Sequence, residues 1–269
     1  MTREALATLR LSARSLARHV REWYRESSQW PWFWRCYRKY ERSCHGPADG
    51  RAPQTTPAGT GAPGDGRGLP SLGDLYPCLT DATAETPLEP IYFYQGCWAF
   101  ERIFARRPER HVDVASDAFF VALLSKVVLV TMVDIRPLPL SIPSLEFRKG
   151  SVLALPFADG SLPSVSSICV IEHIGLGRYG DPIDPWGTEK SLAELKRVVR
   201  PGGDLYLSVP LDDERRTYFN AHRAFTEPYL LEMFRPFDVI DRKYIFGQSF
   251  GDVIGSGFGT GCYHLRRPA

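Results

Sequence analysis

The adjacent pair Glu172-His173 brings together two side chains suited to proton transfer in this 269-residue chain. Imidazole titrates near neutral pH, so His173 is a candidate general base for a hydroxyl or amine, with Glu172 orienting it or touching a bound ligand. Directly beyond lies Gly175-Leu176-Gly177-Arg178-Tyr179-Gly180-Asp181-Pro182. There Arg178, Tyr179 and Asp181 could hold a polar acceptor, sugar- or phosphate-bearing. His222, with Asn220 and Arg223, could add substrate contacts. Each reading has a plain structural alternative: a hydrogen-bonded wall histidine, a turn stiffened by Pro182 and Pro185, and capping of the helix after Arg223. Two more acids, Asp113 and Asp134, close successive apolar runs 21 residues apart.

The elements that must carry these residues alternate between apolar runs and helical patterns, as in a parallel sheet wrapped by helices. Helices are expected at Tyr94–Arg107, Ala118–Lys126, Thr188–Val199 and Glu227–Phe234, and strands at Arg110–Ala115, Val127–Ile135, Leu145–Arg148 and Val165–Ile171. The run Arg200-Pro201-Gly202-Gly203 reads as a helix stop, because proline cannot continue a helix and glycine accepts positive φ. Strands at Asp204–Val209, Phe237–Phe246 and Gly261–Arg266 follow, the last two as an antiparallel pair on the sheet edge.

Leu155-Pro156-Phe157-Ala158-Asp159-Gly160-Ser161, the Val165–Ile171 strand, Glu172-His173 and the Ala193–Gly203 block stand in the order of the class I S-adenosylmethionine-dependent methyltransferases, which the region from about Arg110 to Arg266 resembles. A narrower resemblance rests on Pro77–Thr86, Tyr92-Phe93-Tyr94, His111-Val112-Asp113, Glu172–Pro182 and Phe219–Arg223. These segments are similar to an uncharacterised methyltransferase-like family, a domain-of-unknown-function group. The resemblance implies a doubly wound, mostly parallel seven-stranded α/β sheet with an antiparallel terminal hairpin. It also implies S-adenosylmethionine as cofactor, around Asp113, Ala115, Ser116, Asp134, Ile135, Ser151, Val152 and Leu155. In open α/β sheets ligands sit outside the carboxyl ends of the strands, and a carboxylate such as Asp134 there can accept both ribose hydroxyls. A turn aspartate before Arg136-Pro137, or the ribose of a nicotinamide dinucleotide, would use the same residue type.

One departure stands out. The Gly-x-Gly turn usual after the first strand is replaced by Asp113-Val114-Ala115-Ser116-Asp117-Ala118-Phe119-Phe120, without glycine and with an added carboxylate. Cofactor binding is therefore expected to be altered or lost, and a Phe119 or Phe120 ring filling the hollow would exclude it. Three uses stay open: methyl transfer to a small polar or glycan-like acceptor, a non-catalytic binding or assembly module, and a nucleotide- or sugar-nucleotide-binding enzyme. The last is disfavoured because a missing glycine turn harms pyrophosphate binding most.

The whole chain has net charge +2, yet residues 1–46 carry ten Lys/Arg against four Asp/Glu, net +6, leaving −4 beyond them. Residues 2–29 read as a basic amphipathic helix, followed by Trp30, Trp32, Phe33, Trp34, Tyr37 and Tyr40 among Arg35, Arg38 and Lys39. This composition suits a membrane surface, and equally padding of the main domain or a second subunit. Nucleic acid is not the expected partner, because no reading module accompanies the charge. Thirteen of the 28 residues from 46 to 73 are Gly or Pro, a flexible-linker composition. The expected organisation is thus a basic aromatic segment (1–45), a linker (46–73) and a methyltransferase-like domain (74–269). No long apolar run marks a membrane span, and the six scattered cysteines show no zinc spacing, so a reducing, cytoplasmic setting is expected, with membrane-peripheral contact through residues 1–45 as an addition.

Overall fold

The computed structural model describes residues 16–44, 70 and 72–269, which divide into two compact units, Met1–Pro87 and Leu88–Ala269. In the second unit, β1 (Arg110–Val114), β2 (Leu129–Asp134), β3 (Leu145–Lys149), β4 (Leu162–Ile168) and β5 (Val199–Leu211) run parallel. The inner strands are covered on both faces, and the polar residues they bury pair with one another across β1 and β4, His111 with Ser164 and Ser166, and Ser166 with Asp113. Two short strands, β6 (Arg216–Tyr218) and β7 (His222–Ala224), form a separate hairpin. β8 (Asp238–Phe246), β9 (Ser249–Gly251) and β10 (Gly259–Arg266) complete the large sheet in the order β3-β2-β1-β4-β5-β10-β8-β9. β10 is antiparallel to both β5 and β8, so the expected terminal hairpin is present. The sheet has eight strands rather than seven, because the short β9 folds back on β8.

Helices cover both faces. α1 (Pro90–Arg106) starts with proline at its first turn and with the Glu89 carboxylate accepting the Ile91 N–H at 2.8 Å. It buries Trp98, Ala99 and Ile103 with Val121 and Leu124 of α2 (Ala118–Leu124) against Val130, Met132 and Ile168. On the opposite face α3 (Gly187–Val198) and α4 (Glu227–Phe234) place Leu192, Leu195, Leu230 and Phe234 over Val112, Val165, Leu205 and Leu207. Each such buried side chain contributes roughly 1.5–3 kcal/mol. Strand order reverses between β1 and β4, opening a crevice at the carboxyl ends of the strands.

Several expected boundaries moved, α1 starting at Pro90 and β4 at Leu162, and two shifts have plain local reasons. The fourth strand stops at Ile168, because Cys169 turns the chain at φ +52°, and Ile171–His173 form a 3-10 turn. The Arg200–Gly203 segment ends α3 as expected but is drawn into β5, where Gly202 and Gly203 exchange backbone hydrogen bonds with Arg267.

In the first unit residues 16–27 are helical, and the aromatic cluster is itself a helix, Trp30–Cys44, with Pro31 in its first turn. Residues 2–15 of the expected helix, and all of the expected linker except Pro70, Leu72 and Gly73, lie outside the described residues. Among the described residues no helix is long and apolar enough to cross a membrane.

Candidate functional site

A cavity of about 410 Å³ lies at the carboxyl ends of β1, β2 and β4. Its walls are mostly apolar: Val114, Ala115, Val133, Ile135, Val152, Leu153, Val170 and Ile174, with Asp134, Arg136, Ser151, His173, Tyr179 and Asp181 adding polar groups. A second, more polar hollow shares Ala115, Asp134, Arg136, Cys169, His173 and Tyr179 with it and adds Tyr92, Ser116 and Asp117.

The glycine-free turn keeps a glycine-like path. Ala115 sits at φ +59°, and its N–H donates to the Val133 carbonyl at 2.9 Å. An L-residue held there costs about 1–2 kcal/mol. Behind the turn the buried Asp113 carboxylate accepts the Ser116 N–H at 3.0 Å and the Ser166 hydroxyl, while burial pushes its pKa up to about 6. Asp113 therefore braces the turn from the core side and does not line the cavity. Ser116 lines the polar hollow, and its hydroxyl accepts the Ile168 N–H at 2.9 Å. Asp117 caps α2, accepting the N–H groups of Phe119 and Phe120 at 3.0 and 3.1 Å. Phe119 is 82% exposed and Phe120 packs against the α1-side core, so neither ring fills the hollow.

Asp134 ends β2, buried, and lines both hollows, with its Oδ1 accepting the Arg136 N–H at 2.8 Å. Ile135, Ser151 and Val152 join it on the cavity wall. Leu155 does not: it lies in the core, its N–H donating to Glu194 at 2.6 Å.

Glu172 and His173 are adjacent but differ from the expected pair. The His173 ring is oriented by the Ala221 carbonyl, to which Nδ1 donates at 2.5 Å, leaving Nε2 unprotonated 3.6 Å from Glu172 Oε1. Burial lowers the His173 pKa to about 4, and burial raises that of Glu172 to about 8. At neutral pH the pair is an uncharged acid beside an uncharged imidazole, so Glu172 does not act as an anionic orienting group. Glu172 Oε2 is buried without a hydrogen-bond partner. Next to it the Cys169 thiol donates to Gln95 at 3.0 Å, and burial, followed by Glu172, holds it protonated.

The loop Gly175–Gly187 is a built wall. Asp181 accepts the N–H groups of Gly175, Tyr179 and Gly177 at 2.6, 3.2 and 3.4 Å, so its carboxylate is committed to the loop although it borders the cavity. Arg223, nearly buried, donates to Ile174 O at 2.6 Å, Thr188 Oγ1 at 3.2 Å, Asp184 O at 3.1 Å and Pro185 O at 3.4 Å. It is a strut for the wall rather than a ligand contact. A Cβ on Gly187 would lie 2.2 Å from Ile174 O, which is why the loop closes on glycine. Tyr179 lines both hollows, and the guanidinium carbons of Arg136 and Arg178 lie 4.4 and 5.1 Å from its ring centre. Arg178 itself stands outside both walls, donating to Ala221 O at 3.1 Å. His222 lies behind His173, 6.4 Å away ring to ring, between Tyr218 and Phe258. Tyr92 and Arg136 enter the site without having been singled out by sequence reasoning. The Tyr92-Phe93-Tyr94 run was the available signal for the first, and the position two residues past Asp134 for the second.

Residues 156–248 match the family model described as "Caenorhabditis protein of unknown function, DUF268". No curated protein matches the sequence. Among solved structures, the 1,6-didemethyltoxoflavin-N1-methyltransferase of Burkholderia thailandensis, bound to 1,6-didemethyltoxoflavin and S-adenosylhomocysteine, is similar at 18% identity and TM-score 0.50. The match covers 69% of this chain and 93% of that one. The N-methyltransferase NodS from Bradyrhizobium japonicum is similar at 12% identity and TM-score 0.49, covering 67% and 98%. At 18% identity the first of these likenesses is one of fold. By its family match and its sheet, the chain resembles an uncharacterised methyltransferase-like family related in fold to the class I S-adenosylmethionine-dependent methyltransferases.

Proposed function

We propose that the Leu88–Ala269 unit binds S-adenosylmethionine in the double hollow and transfers its methyl group to a small polar or glycan-like acceptor. The observation that carries this reading is the open cavity around the tips of β1, β2 and β4, with the Asp134 carboxylate at the end of β2. The residues present fit the cofactor. Ile135 and Val152 offer apolar surface for a base, Asp134 an acceptor for ribose hydroxyls, and the left-handed Ala115 turn a close backbone approach. Asp117 takes the first α2 N–H groups for itself, so the polar hollow presents a carboxylate rather than bare amides, which suits a cationic ligand.

When bound, the cofactor supplies an electrophilic methyl group on a sulfonium. The chain aligns the acceptor and excludes water, which can provide much of the rate. His173 Nε2, unprotonated at neutral pH and fixed by the Ala221 carbonyl, accepts the acceptor's proton. A base this weak suffices for a hydroxyl, whose proton becomes strongly acidic as the new bond to carbon forms. Asp134→Ala is expected to weaken S-adenosylhomocysteine binding by about 1–3 kcal/mol, read as a change in dissociation constant. Unchanged affinity would move the ligand away from β2.

We further propose that the amino-terminal helices rest on an anionic membrane surface. Leu16, Val20 and Trp23, each more than half exposed, recur at helical spacing, with Arg18, Arg21 and Arg25 exposed beside them. The variant Val20→Glu/Trp23→Glu should reduce sedimentation of the full chain with phosphatidylserine-containing vesicles about fivefold. Equal sedimentation refutes docking.

A further inference from the structure

Two cations share the ring of Tyr179, which lines both hollows. Arg136 lines both hollows, its side chain 60% exposed, and its guanidinium carbon lies 4.4 Å from the Tyr179 ring centre. Arg178 lies over the same ring at 5.1 Å. Both are positioned by contacts that leave donors over: Arg136 through its N–H to Asp134, Arg178 through one nitrogen to the Ala221 carbonyl. Among the described residues Arg178 has no carboxylate partner, and the Arg136 side chain has only Asp134, at 3.7 Å. The other acids beside the site, Asp117 and Asp181, accept backbone N–H groups and form no ion pair with either arginine among the described residues.

A guanidinium with donors to spare, held over an aromatic ring, is a preorganised fork for oxyanions. We infer that the acceptor carries an anionic oxyacid group, a phosphate ester or a carboxylate, which Arg136 and Arg178 grip across the Tyr179 ring while the hydroxyl to be methylated faces His173. This rests on the methyl-transfer reading above and names its substrate class.

The test is calorimetric titration of the full chain, saturated with S-adenosylhomocysteine, with inorganic phosphate and separately with acetate, chloride holding ionic strength constant. Saturable binding of either anion is expected, weakened about tenfold by Arg178→Gln with the affinity for S-adenosylhomocysteine unchanged. Tighter phosphate than acetate binding assigns a phosphate ester, the reverse order a carboxylate. No saturable binding of either anion, or binding indifferent to Arg178→Gln, overturns the inference and leaves the cofactor reading standing. If S-adenosylhomocysteine itself fails to bind, the same titrations on the ligand-free chain separate the two: phosphate or acetate binding that needs Arg178 keeps the anion site and removes its role as an acceptor subsite.

Discussion

Arg223→Ala is expected to destabilise the Leu88–Ala269 unit by about 3–5 kcal/mol, the range for breaking a buried, charge-assisted network. The guanidinium serves four acceptors, Ile174 O, Thr188 Oγ1, Asp184 O and Pro185 O, at the two ends of the Gly175–Gly187 loop. Without it those oxygens are left facing a gap that only water could fill. Arg223→Lys should recover only part of the loss, because a single ammonium cannot fork to both ends of the loop. The midpoint of urea unfolding reads the effect directly. A cost below about 1 kcal/mol for the alanine variant would mean that the wall is held by its glycines and Asp181 alone. Since Tyr179 and Asp181 border the cavity on this loop, surviving folded protein should also bind S-adenosylhomocysteine poorly.

Glu172→Gln should act in the opposite direction and make the protein more stable. Burial raises the Glu172 pKa in the folded state to about 8, against an ordinary value of 4.5. The neutral form is thus the one the fold accepts. Below pH 4.5 the acid is protonated folded and unfolded, and its burial carries no ionisation penalty. As pH rises from 4.5 towards 8 the unfolded chain ionises first, and stability falls by up to about 1.4 kcal/mol per pH unit. The amide, which cannot ionise, escapes that loss. The variant should therefore exceed the parent by about 2 kcal/mol or more at pH 8 and match it near pH 4.5, which unfolding curves at the two pH values will read. His173 and Asp113 also titrate in this range, but they are common to both proteins and largely cancel in the difference. Equal stability at pH 8 would show that Glu172 reaches water.

Much of this arrangement was legible in the residues. α4 runs over Glu227–Phe234 as read, because Pro228 sets its first turn and its apolar face repeats at helical spacing. The places of Asp134 at the end of β2 and of Glu172-His173 after β4 were legible because each follows an apolar run that reads as a buried strand. The protonation of Glu172 and His173 was not legible, since it follows from burial, which only the packing of distant parts of the chain produces. The missing glycines pointed to a changed turn, yet Ala115 takes the left-handed conformation anyway, with the surrounding hydrogen bonds holding it there. The three-residue strands β6, β7 and β9 are too short for any period to register. Arg223 looked like a capping or substrate residue beside α4, and only the folded loop reveals it as a strut. Arg136 belongs to the site because Tyr179 folds back beneath it, a tertiary contact with no local signature.

The most direct test of the central claim is calorimetric titration of the full chain with S-adenosylhomocysteine at neutral pH. One saturable site per chain is expected, emptied by competing S-adenosylmethionine and weakened by Asp134→Ala. Absence of both heat and thermal shift at millimolar ligand would contradict it, leaving the methyltransferase sheet as scaffold alone.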